Sequence, residues 1–375
     1  MADKDIYRVG ILGASGYTGA DLVRLLSCHP NVEIVFVTAD RKAGRPLAEV
    51  FPHLGRLKVP ELISIDDIEW AGIEVDAVFC ALPHATSQRV IRGMLHATNH
   101  SLLDEFIVER PEDIADDIRG EVKVIDLSAD FRMRDVDVYA EWYGKTHDAP
   151  ELQEKAVYGL PELYREKIRG ASLVACPGCY PTAALIALVP LLERGLIAPE
   201  DIIIDAKSGI TGAGRSLKEQ NLFAEVAEGM HAYSIASHRH APEIEQELSV
   251  AAGQPLRVNF TPHIVPMNRG EYETIYVRLG EGKSVDDLRD ALSERYREEP
   301  FVHVDQSGQV PASRFVRGSN DCILSVFEDR IPGRAIVIAT IDNLVKGSSG
   351  QAIQNMNLML GLPEATGLEQ APLFP

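Results

Sequence analysis

Residues 7–19 read YRVGILGASGYTG, an apolar run that ends in a cluster of three glycines, Gly13, Gly16 and Gly19. The run predicts a buried β-strand, the leucines that recur at helical spacing after the glycines predict a helix, and EIVFVT (33–38) predicts a second strand. In this order, backbone N–H groups and the positive end of the helix dipole can face a pyrophosphate. The spacing is GxxGxxG rather than GxGxxG, so a tight turn with a purely structural role is the alternative. The order of the elements favours a dinucleotide-binding site.

The residues after the second strand, VTADRKAGR, bear on which dinucleotide binds. Asp40 could accept a hydrogen bond from a ribose 2′-hydroxyl, as in NAD sites, whereas Arg41, Lys42 and Arg45 could bind a 2′-phosphate. Three cations against one carboxylate favour NADP, and we select Arg41 as its contact. For Lys42 and Arg45, a solvated charged loop is nearly as good an interpretation.

Three further apolar runs, at residues 75–82, 122–128 and 172–176, have the pattern of parallel strands that are buried on both faces. We therefore predict an α/β fold whose first half is a Rossmann-type, doubly wound parallel sheet. After residue 179, long alternating strands separated by helices predict an α+β catalytic domain with a mostly antiparallel sheet.

Two further segments, a predicted helix near the C-terminus and an acidic segment in the first half, lie outside these strand patterns. Apolar residues at helical spacing between residues 344 and 361, followed by Gly361 and Pro363, predict a closing helix. Residues 98–118 have the composition of an acidic surface loop or a short helix, and we assign them no role.

The charge and the cysteine content narrow the classes of partner and of fold. The net charge of −19 repels nucleic acid and anionic lipid, so a small anionic substrate must be held by a few placed cations in a cleft. Charged residues near the N-terminus, where a signal peptide needs an apolar core, predict a cytoplasmic protein without a membrane partner. Five widely spread cysteines argue against a disulfide scaffold.

A second glycine cluster, GITGAGRS (209–216), follows a predicted strand that ends at Ser208. It nearly matches the phosphate-binding pattern GxxxxGK[ST], but Arg215 stands where the lysine belongs, and a forked guanidinium is not a conservative replacement for a lysine. A kinase is therefore a poor interpretation. Arg215 fits better as a bidentate clamp for a carboxylate or phosphate.

The stretch VACPGCYPT (174–182) contains two cysteines, and three roles compete for them. A redox pair does not suit a chain with a dinucleotide site far upstream, and a zinc site lacks a second ligand pair nearby. Pro177 and Gly178 break the strand, so Cys179 falls near the start of the following helix, where the dipole is expected to lower the thiol pKa. We predict that Cys179 is a nucleophile and that Cys176 is a packed neighbour.

A thiolate nucleophile needs an acid–base partner, and ASHRHAPEIEQEL (236–248) offers His238, His240 and Glu243. If a helix begins at Pro242, Glu243 lies in its first turn and can orient a histidine, which is the logic of a catalytic triad. Metal ligation and a plain surface location are the alternatives for the two histidines.

Together with GASGYTG, the motifs PGCYPTAALIALVP, SGITGAGR, HRHAPEI, FTPHIVPMNRG and DNLVKGSSGQAIQNMNLMLGL closely resemble the N-acetyl-gamma-glutamyl-phosphate reductase family of arginine biosynthesis, nearly from end to end. More distantly, the layout is similar to that of aspartate-semialdehyde dehydrogenases. The resemblance implies NADPH-dependent reduction of N-acetyl-5-glutamyl phosphate to the 5-semialdehyde, with phosphate release through a Cys179 thioester. It also implies a homo-oligomer, most simply a homotetramer.

The resemblance implies two domains, an NADP-binding domain over 1–178, to which the helix in 344–375 returns, and a catalytic and oligomerisation domain over 179–343. It assigns His240, with His238 near it, to proton transfer. Its implied cofactor contacts are Gly13, Ser15, Gly16, Tyr17, Thr18, Gly19, Arg41, Pro83, Ser128, Asn343 and Gly347. Its implied substrate contacts are Arg132, Ser208, Arg215 and Arg269.

Two alternatives stay open from the sequence. A lysine-pathway aminoadipyl-phosphate reductase would keep the chemistry and change the substrate. A dinucleotide-binding sensor would bind the cofactor without thiol-dependent turnover.

Overall fold

The computed structural model describes residues 5–70, 72–98 and 122–374. The chain forms two compact units, one built from Met1–Pro177 with Ser349–Leu368 and the other from Gly178–Ser348 with Glu369–Pro375. The segment predicted as an acidic loop or short helix lies, beyond residue 98, outside the described residues.

The first unit contains a parallel sheet whose strand order among the described residues is β3-β2-β1-β4-β5-β7-β6. Every neighbouring pair in it is parallel. The strands are β1 (Tyr7–Leu12), β2 (Val32–Thr38), β3 (Leu62–Ile63), β4 (Ala77–Cys80), β5 (Lys123–Asp126), β6 (Val157–Tyr158) and β7 (Leu173–Ala175). The order reverses between β1 and β4, and cofactors bind at the carboxyl ends of strands at such a switch point.

The helices of this unit pack on the faces of that sheet, whose central strands are buried. All four residues of β4 and of β5 are buried, as expected for strands covered on both faces, although β5 includes Lys123 and Asp126. The α-helices of this unit among the described residues are α1 (Tyr17–Leu26), α2 (Leu47–Val50), α3 (Ser87–Thr98), α4 (Val136–Tyr143), α5 (Pro150–Gln153) and α6 (Pro161–Arg169). The predicted Rossmann-type sheet is confirmed.

The second unit contains a mixed sheet of order β12-β13-β14-β11-β8-β10-β9 among the described residues. Its strands are β8 (Ile203–Gly209), β9 (His231–Ala232), β10 (Asn259–Val265), β11 (Glu271–Arg278), β12 (Val302–Val304), β13 (Cys322–Glu328) and β14 (Arg334–Ile341). The pairs β8–β10 and β12–β13 are parallel and the other neighbouring pairs are antiparallel, which confirms the predicted mostly antiparallel sheet.

Helix α7 (Cys179–Glu193) is the central helix of this unit, and its residues from Tyr180 to Leu192 are buried. It contacts β11 and β14 of the sheet. The other helices are α8 (Phe223–Val226), α9 (His240–Ala252) and α10 (Val285–Arg295). Along β11, burial alternates with period two, so Glu271, Glu273, Ile275 and Val277 lie on the buried face.

The closing helix, α11 (Gly350–Leu360), belongs to the first unit, and all of its residues are buried. It contacts α1, α6 and β5. It ends at Gly361, whose φ of +76° is the left-handed conformation that suits glycine after a helix. This confirms the helix predicted in the last segment of the sequence. Among the helices of the described residues, none combines the length and the apolar character that crossing a bilayer requires.

Candidate active site

Cys179 is the first residue of α7, whereas the apolar pattern of the sequence predicts a helix that starts only at Thr182. Gly178 precedes it in an extended conformation, with φ −67° and ψ 161°, and is the N-cap. Pro181 lies inside the first turn without cost, since the first N–H groups of a helix have no partner within the helix. The thiol therefore emerges from the N-terminal end of a rigid, buried helix.

The residue before the cysteine is held by Glu243, which has no solvent exposure. Its Oε1 accepts a hydrogen bond of 2.9 Å from the Gly178 N–H. Helix α9, which carries Glu243, starts at His240 rather than at the predicted Pro242. Glu243 thus fixes the backbone next to Cys179, whereas its predicted role in orienting a histidine stays a prediction.

The electrostatic environment of the thiol differs from the sequence expectation. Burial and the neighbouring Glu271 carboxylate raise the pKa of Cys179 well above its ordinary value, and the Tyr180 N–H lowers it by less. The predicted net lowering of the Cys179 pKa is therefore wrong. The N–H groups at the helix start act in the expected direction, but desolvation and a nearby like charge outweigh them.

Gly347 packs directly against the cysteine. A Cβ placed on Gly347 would lie 2.7 Å from Cys179 Cβ and 3.3 Å from Ile341 Cδ1. Only glycine leaves the Cys179 side chain in its present position. Sequence reasoning assigned Gly347 to the cofactor, and its contact with Cys179 was missed.

The two histidines of the HRH motif lie in an aromatic cluster with Tyr180, Tyr233 and Phe260. The Nδ1 atom of His238 accepts a hydrogen bond of 3.1 Å from the His240 N–H. Burial and the Arg239 charge lower the pKa of His238 to about 4, so its ring is neutral near pH 7. The ring centroids of His240 and Tyr180 are 5.8 Å apart, which places this imidazole beside the residue that follows the cysteine.

Three segments of the second unit converge around Asn343. Its Oδ1 accepts a hydrogen bond of 2.9 Å from the Gly270 N–H, and its Nδ2 donates one of 3.0 Å to Thr211 Oγ1. The motifs SGITGAGR, MNRG and DNLVKG therefore meet at one place. Asn343 braces this junction, a structural contact that sequence reasoning did not anticipate.

The candidate substrate contacts fall into two groups. Ser208 is buried at the end of β8, Arg215 is exposed on the following turn, and Arg269 lies 3.4 Å from the buried Asp342 carboxylate, all in the second unit. Arg132 lies in the first unit, where its Nε donates to the Cys176 carbonyl (2.7 Å) and its Nη2 to the Leu127 carbonyl (3.1 Å). These bonds make Arg132 a brace of the strand ends β5 and β7.

The glycine cluster after β1 forms a cradle. Gly13 has φ +83°, and a Cβ there would lie 2.3 Å from the Ala81 carbonyl oxygen, while a Cβ on Gly19 would lie 2.5 Å from the Gly13 carbonyl oxygen. Gly16 is the N-cap of α1 and offers no side-chain cap. Ser15, Tyr17 and Thr18 lie in the same turn. A turn without side chains at the N-terminus of a helix lets a dinucleotide pyrophosphate come close to the backbone N–H groups, so the cradle fits such a ligand.

The other candidate cofactor contacts follow β2, β4 and β5. Arg41 and Pro83 are exposed just beyond β2 and β4. Ser128 is buried after β5, and its Oγ donates a hydrogen bond of 2.7 Å to Asp126. Ser128 thus has an internal partner, whereas Arg41 and Pro83 lie at the surface of the switch-point edge.

Sequence reasoning missed two carboxylates beside the cysteine, Glu271 and Glu273. Both have no solvent exposure, and apart from the interaction of Glu271 with the Cys179 thiol their carboxylate oxygens have no hydrogen-bond partner among the described residues. Burial raises the pKa of Glu271 to about 8 and that of Glu273 well above its ordinary value. The sequence does contain a signal for this site: in EYETIYV (271–277), two glutamates two residues apart lie on the face of a strand whose other residues are apolar.

Comparison with known protein families matches both units. A model described as semialdehyde dehydrogenase, NAD binding domain, matches residues 8–104 and 111–171. A second, described as semialdehyde dehydrogenase, dimerisation domain, matches residues 179–343. A nicotinamide cofactor is therefore part of the chemistry.

Curated relatives match over the full length of the chain. The N-acetyl-gamma-glutamyl-phosphate reductase of Afipia carboxidovorans is 53% identical and covers 100% of this chain and 99% of the relative. That of Rhodospirillum rubrum is 54% identical over 98% of both chains. A probable chloroplastic reductase of the same name from Arabidopsis thaliana is 52% identical and covers 100% of this chain and 86% of the relative.

Solved structures share the fold at lower sequence identity. Aspartate semialdehyde dehydrogenase II from Vibrio cholerae superposes with a TM-score of 0.68, at 16% identity, over 95% of this chain and 99% of that chain. The enzyme from Candida albicans, crystallised with NADP, has a TM-score of 0.66 at 16% identity, over 95% of this chain and 98% of that chain.

Proposed function

We propose, from the premise that this chain belongs to the N-acetyl-gamma-glutamyl-phosphate reductase family, that Cys179 is the nucleophile of its reaction. The enzyme reduces N-acetyl-5-glutamyl phosphate to N-acetylglutamate 5-semialdehyde and releases phosphate, a step of arginine biosynthesis. The observation that carries the assignment is the position of Cys179 at the first residue of α7, fixed by Glu243 through Gly178 and by contact with Gly347. The lysine-pathway substrate is not favoured, because the relatives above carry the arginine-pathway name.

Covalent catalysis divides the reaction into two easier steps. The Cys179 sulfur attacks the acyl carbon, a C–S bond forms, and the C–O bond to phosphate breaks. When bound, the nicotinamide cofactor supplies the hydride that reduces the resulting thioester. The thiohemiacetal then collapses to the aldehyde and restores the thiol.

We assign proton delivery to the departing phosphate to His240. Its ring lies beside Tyr180, and the hydrogen bond between its own N–H and His238 Nδ1 fixes its backbone. His238, whose low pKa keeps it neutral, has a supporting role. Replacement of His240 by Ala that left turnover unchanged would exclude this assignment.

For the cofactor, we propose NADP. The pyrophosphate would bind the N-terminal turn of α1 over Gly13, Ser15, Gly16, Tyr17, Thr18 and Gly19, and Pro83 would border it. Arg41, exposed three residues after the end of β2, would bind the 2′-phosphate. The Arg41→Ala variant should then raise KM for NADPH by roughly tenfold or more and leave KM for NADH unchanged. Equal effects on both cofactors would remove this role.

For the substrate, we propose Arg215 and Arg269, with Ser208 at the end of β8, as the contacts of the carboxylate and the phosphate. The overall net charge of −19 repels an anionic substrate, so these cations must act locally. We propose that Arg132 acts indirectly, through the backbone carbonyl of Cys176.

We propose a homotetramer, built through the open face of the mixed sheet. Tyr276, Ile336 and Phe327 lie side by side on three neighbouring strands and remain half-buried. Such an apolar sheet face suits contact with a second copy of the chain. Light scattering after gel filtration tests the assembly, and a monomer would contradict it. The cytoplasmic location stays a prediction.

The assay of the function is NADP reduction by N-acetylglutamate 5-semialdehyde with phosphate. Cys179→Ala should abolish turnover, whereas Cys176→Ala should retain it, because the Cys176 sulfur is buried and accepts a hydrogen bond from Asn355 (3.6 Å). Turnover by Cys179→Ala at the wild-type rate would remove the thioester mechanism. Cofactor binding without turnover by the wild type would indicate a sensor.

A further inference from the structure

Glu271 lies beside the proposed nucleophile and has no role in the proposed steps of the reaction. It is the first residue of β11, and its strand neighbours are Ser208 on β8 and Ile341 on β14. A Cβ added to Gly347 would contact both Cys179 Cβ and Ile341 Cδ1, so these two side chains are close to each other. The register therefore places Glu271 beside Ile341, which itself lies close to Cys179, and a hydrogen bond links the Glu271 side chain to the thiol.

The backbone around Glu271 is fixed on both sides. The preceding N–H, of Gly270, donates to Asn343 Oδ1 (2.9 Å), and the Glu271 carbonyl accepts a hydrogen bond from Thr340 Oγ1 (2.6 Å). The side chain, in contrast, is fully buried, and apart from its interaction with the Cys179 thiol its carboxylate oxygens have no hydrogen-bond partner among the described residues. A buried carboxylate whose one partner is a thiol costs stability, and such costs are concentrated at functional sites.

We propose that Glu271 is the proton partner of Cys179. In the form of the pair that holds one proton, the Glu271 carboxylate accepts the thiol proton as the sulfur attacks the acyl carbon, holds that proton while the thioester is reduced, and returns it to the sulfur when the aldehyde leaves. The proton that the overall reduction consumes goes separately to the departing phosphate. The role rests on the proposed function, but the exchange of a proton between the two side chains does not.

The surroundings of the pair are consistent with a shared proton. The titratable groups that act on Glu271, on Cys179 or on their immediate neighbours are Glu273, Asp342, Tyr180, Tyr233 and Lys207. Lys207 lowers the pKa of Glu273, and its Nζ also contacts Asp205 on its own strand. Because acidic side chains outnumber the lysine around this buried pair, loss of the first proton makes loss of the second harder. Cys179 and Glu271 are therefore expected to lose their two protons in two separate steps.

The test is the pH dependence of Cys179 alkylation by iodoacetamide in the full-length protein without substrate, followed by mass spectrometry from pH 6 to 10.5. In the wild type, the logarithm of the rate should rise, level off while the pair holds one proton, and rise again. Glu271→Gln should give a single rise, and its turnover should fall by roughly 10²-fold or more. Glu273→Gln, the same change on the same face of the same strand, should keep the two-step curve, because Glu273 affects the Cys179 pKa less than Glu271 does.

A two-step curve in Glu271→Gln identical to that of the wild type would overturn the proposal, even if turnover fell. Should Glu271→Gln fail to fold, as judged by thermal melting, a single-step curve in the wild type would overturn it. If the wild type showed the two-step curve but no reduction of NADP with the semialdehyde, the proton pair would stand and the proposed function would fail.

Discussion

Gly347→Ala should disable the enzyme by displacing the nucleophile. The added Cβ would lie 2.7 Å from Cys179 Cβ, which is 0.7 Å short of the 3.4 Å at which ordinary contact begins. Two further contacts, 3.2 Å to Cys179 Cα and 3.3 Å to Ile341 Cδ1, are also tighter than ordinary contact. Because Cys179 Cα and Cβ are fixed to the start of α7, the backbone at Cys179 or at Gly347 must shift, and the thiol is displaced relative to its surroundings.

The expected losses of stability and of turnover follow from how far the added methyl group displaces the Cys179 thiol. Overpacking of a buried site costs about 1–3 kcal/mol of the free energy of unfolding. A shift approaching 1 Å at a reacting atom can lower turnover by about 10²-fold. Turnover should therefore fall far more than stability does.

The assay is kcat together with the rate of Cys179 alkylation, which does not depend on the cofactor, and urea unfolding. Gly93→Ala is the matched control, since Gly93 is exposed within α3 and a Cβ there meets no atom within 4 Å. That variant should gain about 0.5–1 kcal/mol and keep full turnover. Wild-type turnover and alkylation in Gly347→Ala would refute the packing argument.

Other variants test the remaining contacts. Glu243→Ala leaves the buried Gly178 N–H without its acceptor, so the free energy of unfolding in urea should fall by about 1–3 kcal/mol. Glu243→Gln keeps an acceptor oxygen, so its free energy of unfolding should fall by less. Equal losses in the two variants would contradict the hydrogen bond as the cause. Burial raises the pKa of Asp126 to about 7 and that of Glu271 to about 8. Because these values exceed those of the unfolded chain, the folded protein keeps protons that the unfolded chain has released, so the free energy of unfolding should fall as pH rises from about 4 to 8. Asp126→Asn should flatten this slope, and an unchanged slope would show that Asp126 is ionised in the folded protein.

The first unit could be predicted from the sequence because its signals are local. An apolar strand, a glycine turn and a leucine-patterned helix lie within residues 7–26, and each forms as expected. Helix α7 starts three residues before the predicted Thr182, since a helix tolerates proline, here Pro181, in its first turn. The error did not affect the assignment of Cys179 to a helix N-terminus.

The environment of Cys179 could not be predicted, because it is created by the pairing of distant strands. The helix dipole can be inferred from residues 176–182 alone, but the opposing carboxylate of Glu271 reaches the thiol only through the register of β8, β11 and β14. The brace by Asn343 likewise joins Thr211 and Gly270, which no short motif connects. Long-range register therefore brings the Glu271 carboxylate to the thiol, where it adds to the effect of burial on the Cys179 pKa, and it brings three separate motifs together at Asn343.

The return of α11 to the first unit has a consequence for biosynthesis of the chain. Its residues are all buried among α1, α6 and β5, yet the whole of residues 178–348 is translated before them. The nascent first unit therefore waits on the ribosome with the groove for α11 open, and both its apolar and its hydrogen-bonding groups are exposed, while most of the second unit can already fold. A premature stop codon before residue 350 would leave that groove open permanently, so truncated products should be bound by chaperones and degraded rather than accumulate as a free cofactor-binding domain.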